Sequence, residues 1–339
     1  MTTKSKNIRF NAIDNYNERM KHLNSSSGAA FVLMKDNKII HEWYSGTHHF
    51  GEGARKIDRS SQFNVYSTRV TYIGLAVALA IYEGYLNLED RLSDYFNELD
   101  KEALGETTIR HLLTRCTGLR IEEDQAWRIF DSGTNIEGKR PDLLAKILVK
   151  ATGKTVSEHL TEKVFKPLQW KHTDWMTEGK STLVSDIHSP LDYPTLRLGS
   201  NAGDERNLYI SARELAYWGK LHLNKGMFND KQILPKEVFE LTTTTQSPSS
   251  LPKECPKFGF LWWIKDHETA CDYNELASRL PEGSFQILGA SNCSCTVIPK
   301  YNAVAVRMNN SLYTPPIEEY NYLDDIQTFG NLVVSILNP

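Results

Sequence analysis

The residue best placed to do chemistry is Ser67. It heads a stretch, residues 63–84, that opens with a short apolar–polar alternation and passes through Ser67-Thr68-Arg69-Val70. The stretch continues as the almost wholly apolar run Thr71–Tyr82 and stops at Gly84. A helix that is apolar on nearly every face belongs in the middle of a domain. Gly84 suits the left-handed residue that closes a helix. At the head of such a helix the backbone N–H groups are free and a developing anion is stabilised, so a serine there is placed as a nucleophile. The plainer alternative is a serine that only caps the helix.

The other reactive side chains carry weaker patterns. Cys293-Ser294-Cys295 puts two thiols on one face of a strand, but no histidine clusters nearby in sequence, so structural cysteines are the expectation. The ten histidines are scattered, and His48-His49 falls on a polar loop. Glu122-Glu123-Asp124 reads as a solvated face. Trp127, Trp262 and Trp263 could line a cleft for an apolar ligand or serve as packing. No glycine-rich phosphate loop is present, and neither a metal nor a cofactor is expected.

Composition narrows the partners. Charged residues make up 24% and hydrophobic residues 40% of the 339, the balance of an ordinary globular protein. A net charge of −3 gives no reason to expect nucleic acid or an anionic membrane surface. The longest apolar run, Ile73–Ile81, is too short to span a bilayer, and the polar N-terminus does not read as a secretory signal. Five cysteines, an odd number, fit free thiols in a reduced compartment. These features together predict a cytoplasmic protein whose partner is a small-molecule ligand or substrate.

The elements that must position Ser67 follow from periodicity. Residues 11–24 have helical spacing of apolar residues. Residues 28–46 hold two apolar runs around Lys35-Asp36-Asn37-Lys38, which predicts a β-hairpin. After the central helix come a short helix near 85–96, a helix from Thr107 capped by threonine, and helices Leu143–Thr152, Val156–Phe165 and Ser211–Leu223. Segments 120–140 and 171–207 read as irregular. Strands are expected at Phe258–Lys265, Ser284–Gly289, Cys293–Ile298 and Ala303–Met308, with a closing helix at Asp324–Leu337. Strands at both ends of the chain imply one antiparallel sheet flanked by the terminal helices. The expected organisation is a single domain over 1–339, with a sheet lobe of about 1–62 and 255–339 and a helical lobe of about 63–254.

Several local sequences resemble the serine β-lactamase and penicillin-binding-protein superfamily, especially its esterase-like branch. They are Glu83-Gly84 followed by Asn87-Leu88-Glu89-Asp90, then His111-Leu112-Leu113-Thr114-Arg115-Cys116-Thr117-Gly118-Leu119. Thr152-Gly153-Lys154 with Phe165-Lys166-Pro167-Leu168, Ile210-Ser211-Ala212-Arg213-Glu214-Leu215-Ala216, and Phe258-Gly259-Phe260-Leu261-Trp262-Trp263 complete the set. The resemblance covers roughly residues 25–337. It implies an α/β (α+β) sandwich of the β-lactamase-like kind, with a central antiparallel sheet, flanking helices and a helical lobe.

The same resemblance implies three catalytic motifs, and each is altered. The family's helix length, counted back from Gly84, places the nucleophile at Ser67. In Ser-x-x-Lys the lysine lies one turn on, on the same helix face. That position is Val70, which cannot accept a proton; Arg69 lies on another face and stays protonated. The motif tyrosine is missing, since no tyrosine occurs between Phe96 and Asp192. Asn135, Glu137 and Lys139 stand in its region, and Tyr193 could fold over the site from a later loop. The strand motif corresponds to Ile287-Leu288-Gly289-Ala290, where Gly289 would let substrate lie against the strand whose N–H completes an oxyanion hole. In a serine hydrolase of another fold, loss of the base costs on the order of 10⁶ in rate. Three readings therefore stand: a small-molecule-binding or rewired relative, a serine esterase or amidase with a replacement base, and a structural or partner-binding relative.

Overall fold

The computed structural model describes residues 9–122, 125–138, 140–189, 191, 193–266 and 274–338. Its largest sheet has seven strands: β1 (Gly28–Lys35), β2 (Lys38–Gly46), β3 (Lys257–Phe258), β4 (Trp263–Ile264), β5 (Phe285–Leu288), β6 (Ser294–Ile298) and β7 (Ala303–Asn309). Their order is β3-β4-β5-β6-β7-β1-β2 and every pairing is antiparallel. The two ends of the chain thus meet in the middle of the sheet, where Val32 lies opposite Val306. β1 and β2 are joined by Asp36 and Asn37, both at positive φ, the backbone a two-residue hairpin turn requires.

Helices cover both faces of this sheet, which is why β1 and β7 are apolar at nearly every position rather than alternating. On one face, α1 (Asn11–Leu23) and the closing helix α6 (Tyr322–Leu337) bury Ile13, Met20, Phe329 and Val333 against Phe31, Leu33 and Ala305. A buried ion pair pins α6 there: Arg307 donates to both oxygens of Asp325 at 2.7 and 3.0 Å, and Tyr16 and Tyr320 donate to the same carboxylate. On the other face lies α4 (Ala212–Leu223), capped by Ser211. Gly219 lets α4 settle onto the sheet, for a Cβ there would fall 2.5 Å from Val304 Cγ1.

Central to this second core is α2 (Val70–Tyr82), buried over most of its length and followed by Gly84 at φ +82°. Around it pack α3 (Pro141–Thr152), closed by left-handed Gly153, and α5 (Lys236–Thr243). This is the mixed α/β architecture, with its large antiparallel sheet, that the sequence leads one to expect.

Some elements differ from expectation for tertiary reasons. Segment 120–140 contains a hairpin, Leu119–Glu122 with Gln125–Arg128. Segment 171–207 contributes Thr173–Trp175 to a small sheet in which Leu208–Ser211 lies between it and Gln62–Asn64. The single strand expected at Phe258–Lys265 is interrupted at Leu261, which has φ +65°. There the chain leaves the ladder: the Leu261 N–H donates to Leu113, and the Phe260 carbonyl sits 2.7 Å from where a Cβ on Gly74 of α2 would be. Helix α5 is not among the expected elements, although Pro235 precedes it and Val238, Phe239 and Thr242 share its buried face.

Candidate functional site

Ser67 lies in a 3₁₀ turn, Tyr66–Arg69, that leads directly into α2. The turn begins with Tyr66 at φ +45°, a backbone conformation that costs a non-glycine residue about 1–3 kcal/mol. Several bonds hold it. The Tyr66 N–H donates to Asn64 Oδ1 at 3.2 Å, the Tyr66 hydroxyl donates to Asp186 Oδ2 at 2.7 Å, and the Thr68 N–H donates to the Val65 carbonyl at 2.9 Å. The caps of the turn and of α2 are Val65 and Arg69, and neither uses a side chain. Ser67 is therefore no cap, and its hydroxyl has no hydrogen-bond partner among the described residues.

One turn on, Val70 is 1% exposed and belongs to the main hydrophobic core. Arg69 points elsewhere. Its guanidinium donates to the Asp204 carbonyl at 3.2 and 2.9 Å and to the Tyr66 carbonyl at 3.3 Å. Burial pulls Arg69 down to about 10, so it is still a cation at neutral pH. No side chain of this turn can take the Ser67 proton.

Gly289 stands against the turn. A Cβ on it would lie 2.3 Å from the Val65 carbonyl oxygen and 3.1 Å from Thr68 Oγ1. Its own N–H donates across the β5–β6 turn to Cys293 at 2.7 Å, and Ser291 Oγ donates to the Asn64 carbonyl at 3.0 Å, fixing that turn to the segment before Ser67. Ala290 is exposed at the tip. The N–H groups of Ser67 and Ala290 have no backbone acceptor among the described residues, so both are free to face an oxyanion.

The remaining sequence candidates are more dispersed. Tyr193 is 90% exposed and Trp127, in the Leu119–Arg128 hairpin, is 43% exposed. Neither side chain makes a hydrogen bond or ring contact with a described residue. Trp262 and Trp263 are core residues, which corrects the cleft-lining reading: Trp262 packs on His222 and Phe285, and Trp263 on Phe258. Lys139 lies outside the described residues. Asn135 accepts from the next N–H in the chain. Glu137 accepts from the Thr117 hydroxyl and pairs with Arg140 at 3.8 Å, and burial raises its carboxyl above the ordinary value. Cys116, Cys293 and Cys295 are buried free thiols, Cys255 is partly buried, and Cys271 lies outside the described residues. Among the described residues no group of acids, histidines and cysteines could hold a metal, and no helix is long and apolar enough to cross a membrane.

Sequence reasoning missed Asp186. Its side chain is buried beside Tyr66, Asn64 and Tyr209, and it accepts from the Tyr66 hydroxyl and, at 3.3 Å, from Asn64. Its other oxygen is buried without a partner. Burial pushes this carboxyl up to about 6, although hydrogen bonds from Tyr66 and Asn64 pull the other way. Asp186 comes from a segment with no periodicity, so only the fold brings it to Ser67's neighbour.

Comparison with known proteins decides the family. The profile described as Beta-lactamase matches residues 16–328. The chain belongs to the beta-lactamase family. An uncharacterized relative from Alkalihalophilus pseudofirmus is 39% identical over 322 residues, covering 94% of each chain. The protein named flp of Staphylococcus aureus is 22% identical over 80% of this chain, which spans 61% of flp's length. Among solved structures, a class C beta-lactamase superposes with a TM-score of 0.78 at 13% identity, over 99% of this chain and 98% of that one. EstCE1, described as a hydrolase with promiscuous acyltransferase activity, has a TM-score of 0.74 at 15% identity, over 99% and 100% of the two chains. At such identities these two structures show a shared fold.

Proposed function

We propose that this beta-lactamase-family protein binds a small molecule in the cleft beside Ser67 and does not hydrolyse it by the Ser-x-x-Lys route. The observation that carries this reading is Val70, an apolar core residue one helical turn from Ser67. A serine hydroxyl with no base is a poor nucleophile, and Ser67 has no acceptor for its proton in its own turn. Gly289 and Ala290 would line the cleft on the strand side, with Tyr193 and Trp127 supplied by the exposed loops.

A second reading has its own support. The strained Tyr66, and the N–H groups of Ser67 and Ala290 that lack a backbone acceptor among the described residues, are features that acyl transfer would use. Under it the chain is a serine esterase or amidase whose base comes from outside the turn, and the acyltransferase activity in the description of EstCE1 names a comparable chemistry. Labelling with a fluorophosphonate separates the two. The binding reading expects no adduct on Ser67 at neutral pH. Stoichiometric labelling that disappears in Ser67→Ala would establish the second reading instead.

A further inference from the structure

A groove of about 520 Å³ opens between α4, the β1–β2 turn and the short hairpin Met227–Gln232, and no residue of the Ser67 turn lines it. Met34, Ile39, Trp170, Tyr217 and Phe228 supply apolar wall. Lys220 of α4 is set into that wall and is only 7% exposed. Its ammonium lies 4.4 Å from the centre of the Phe228 ring and donates one hydrogen bond, to Asn229 Oδ1 at 3.2 Å. An ammonium has three N–H donors, and Lys220 forms no ion pair with a described carboxylate. Burial lowers its pKa, while the charge of nearby Asp230 acts the other way.

A second donor in the groove is also unspent: Trp170 Nε1 is buried without a partner. The one carboxylate in the lining, Glu214, is already engaged. It accepts from the N–H groups of Lys171 and His172 at 2.8 and 3.0 Å and from Thr173 Oγ1 at 2.6 Å. A buried, unpaired cation is costly and gains most from a complementary anion. We propose that this groove is a second ligand site, which takes a small organic carboxylate with an aromatic body, its carboxylate paired with Lys220 and its ring against Tyr217 and Phe228. Exposed Lys38 at the rim adds positive charge on the path of entry.

The test uses the whole chain with phenylacetate and its neutral counterpart phenylacetamide. Calorimetric titration is expected to show phenylacetate binding about tenfold or more tighter than the amide, and Lys220→Met is expected to remove that preference. Equal binding of the two, no binding of phenylacetate, or a preference that survives in Lys220→Met would overturn the proposal. In case the variant fails to fold, the methyl resonances of Met34 and Ile39 in the native protein give an independent reading. They should shift on adding phenylacetate; shifts confined to other methyl groups would overturn it equally.

Discussion

The two sides of the Ser67 turn are built on opposite principles. On the α2 side, Val70 has joined the hydrophobic core and offers nothing to a proton. On the loop side, a buried polar set of Asp186, Tyr66 and Asn64 holds a strained backbone in place. The first side would supply base chemistry in a lysine-dependent relative, whereas the second supplies position. Burying an aspartate with one unpartnered oxygen and holding a tyrosine at positive φ both cost stability. The Ser67 turn therefore combines a costly, well-held backbone with an apolar side chain, Val70, one helical turn on.

The largest expected effect comes from restoring that base. A folded Val70→Lys variant should hydrolyse p-nitrophenyl acetate about 10²-fold or more faster than the native protein, measured by nitrophenolate release. An unchanged rate in a folded variant would mean that the positioning side has diverged as well, and the contrast would collapse.

Removing the positioning side should show in stability. Asp186→Ala leaves the Tyr66 hydroxyl and Asn64 without their acceptor and is expected to cost about 2–4 kcal/mol in urea unfolding, with Asp186→Asn costing less. A cost near zero would show that Asp186 holds nothing.

The same carboxyl makes a pH prediction with a definite sign. Its pKa is about 6 in the folded chain, above the ordinary 3.8, so the folded state binds the proton more tightly. Stability contributed by this group is full below pH 4 and falls as pH rises to 6, by about 3 kcal/mol at most. Buried His222, pulled down to about 3 by desolvation, works in the opposite sense over part of that range. The measurement is thus the difference between native and Asp186→Asn proteins, which should move in favour of the variant from pH 4 to 6. A flat difference would place the Asp186 titration outside this window.

Smaller effects bound the site. Gly289→Ala puts a methyl against the Val65 carbonyl and should destabilise by about 1–3 kcal/mol. Tyr193→Ala and Trp127→Ala, both on exposed side chains, should stay within about 0.5 kcal/mol in thermal unfolding. A larger loss from either would show packing that their exposure does not suggest.

Much of the fold was legible because it is written in local pattern. The apolar run Thr71–Tyr82, the Asp36-Asn37 turn, the Ser211 cap and Gly153 each announce an element through side-chain period or backbone preference. The hairpin at Leu119–Arg128 and the break at Leu261 were not legible, since each depends on what the segment packs against. At the candidate site, Ser67, Val70 and Gly289 were proposed by counting along motifs. Asp186 could not be, because nothing in residues 171–207 marks one acid above another.

By itself the sequence determined the family resemblance, the central helix, and the absence of a lysine one turn beyond Ser67. Those facts follow from residue identity and spacing along a single element. Only the tertiary structure decided that Ser67 is not a helix cap, that Tyr66 is held in a strained turn, that Asp186 lies beside it, and that Lys220 is buried in a groove without a salt bridge to a described carboxylate. Each of these depends on burial and on partners more than a hundred residues away, or from a neighbouring layer, which no local pattern encodes.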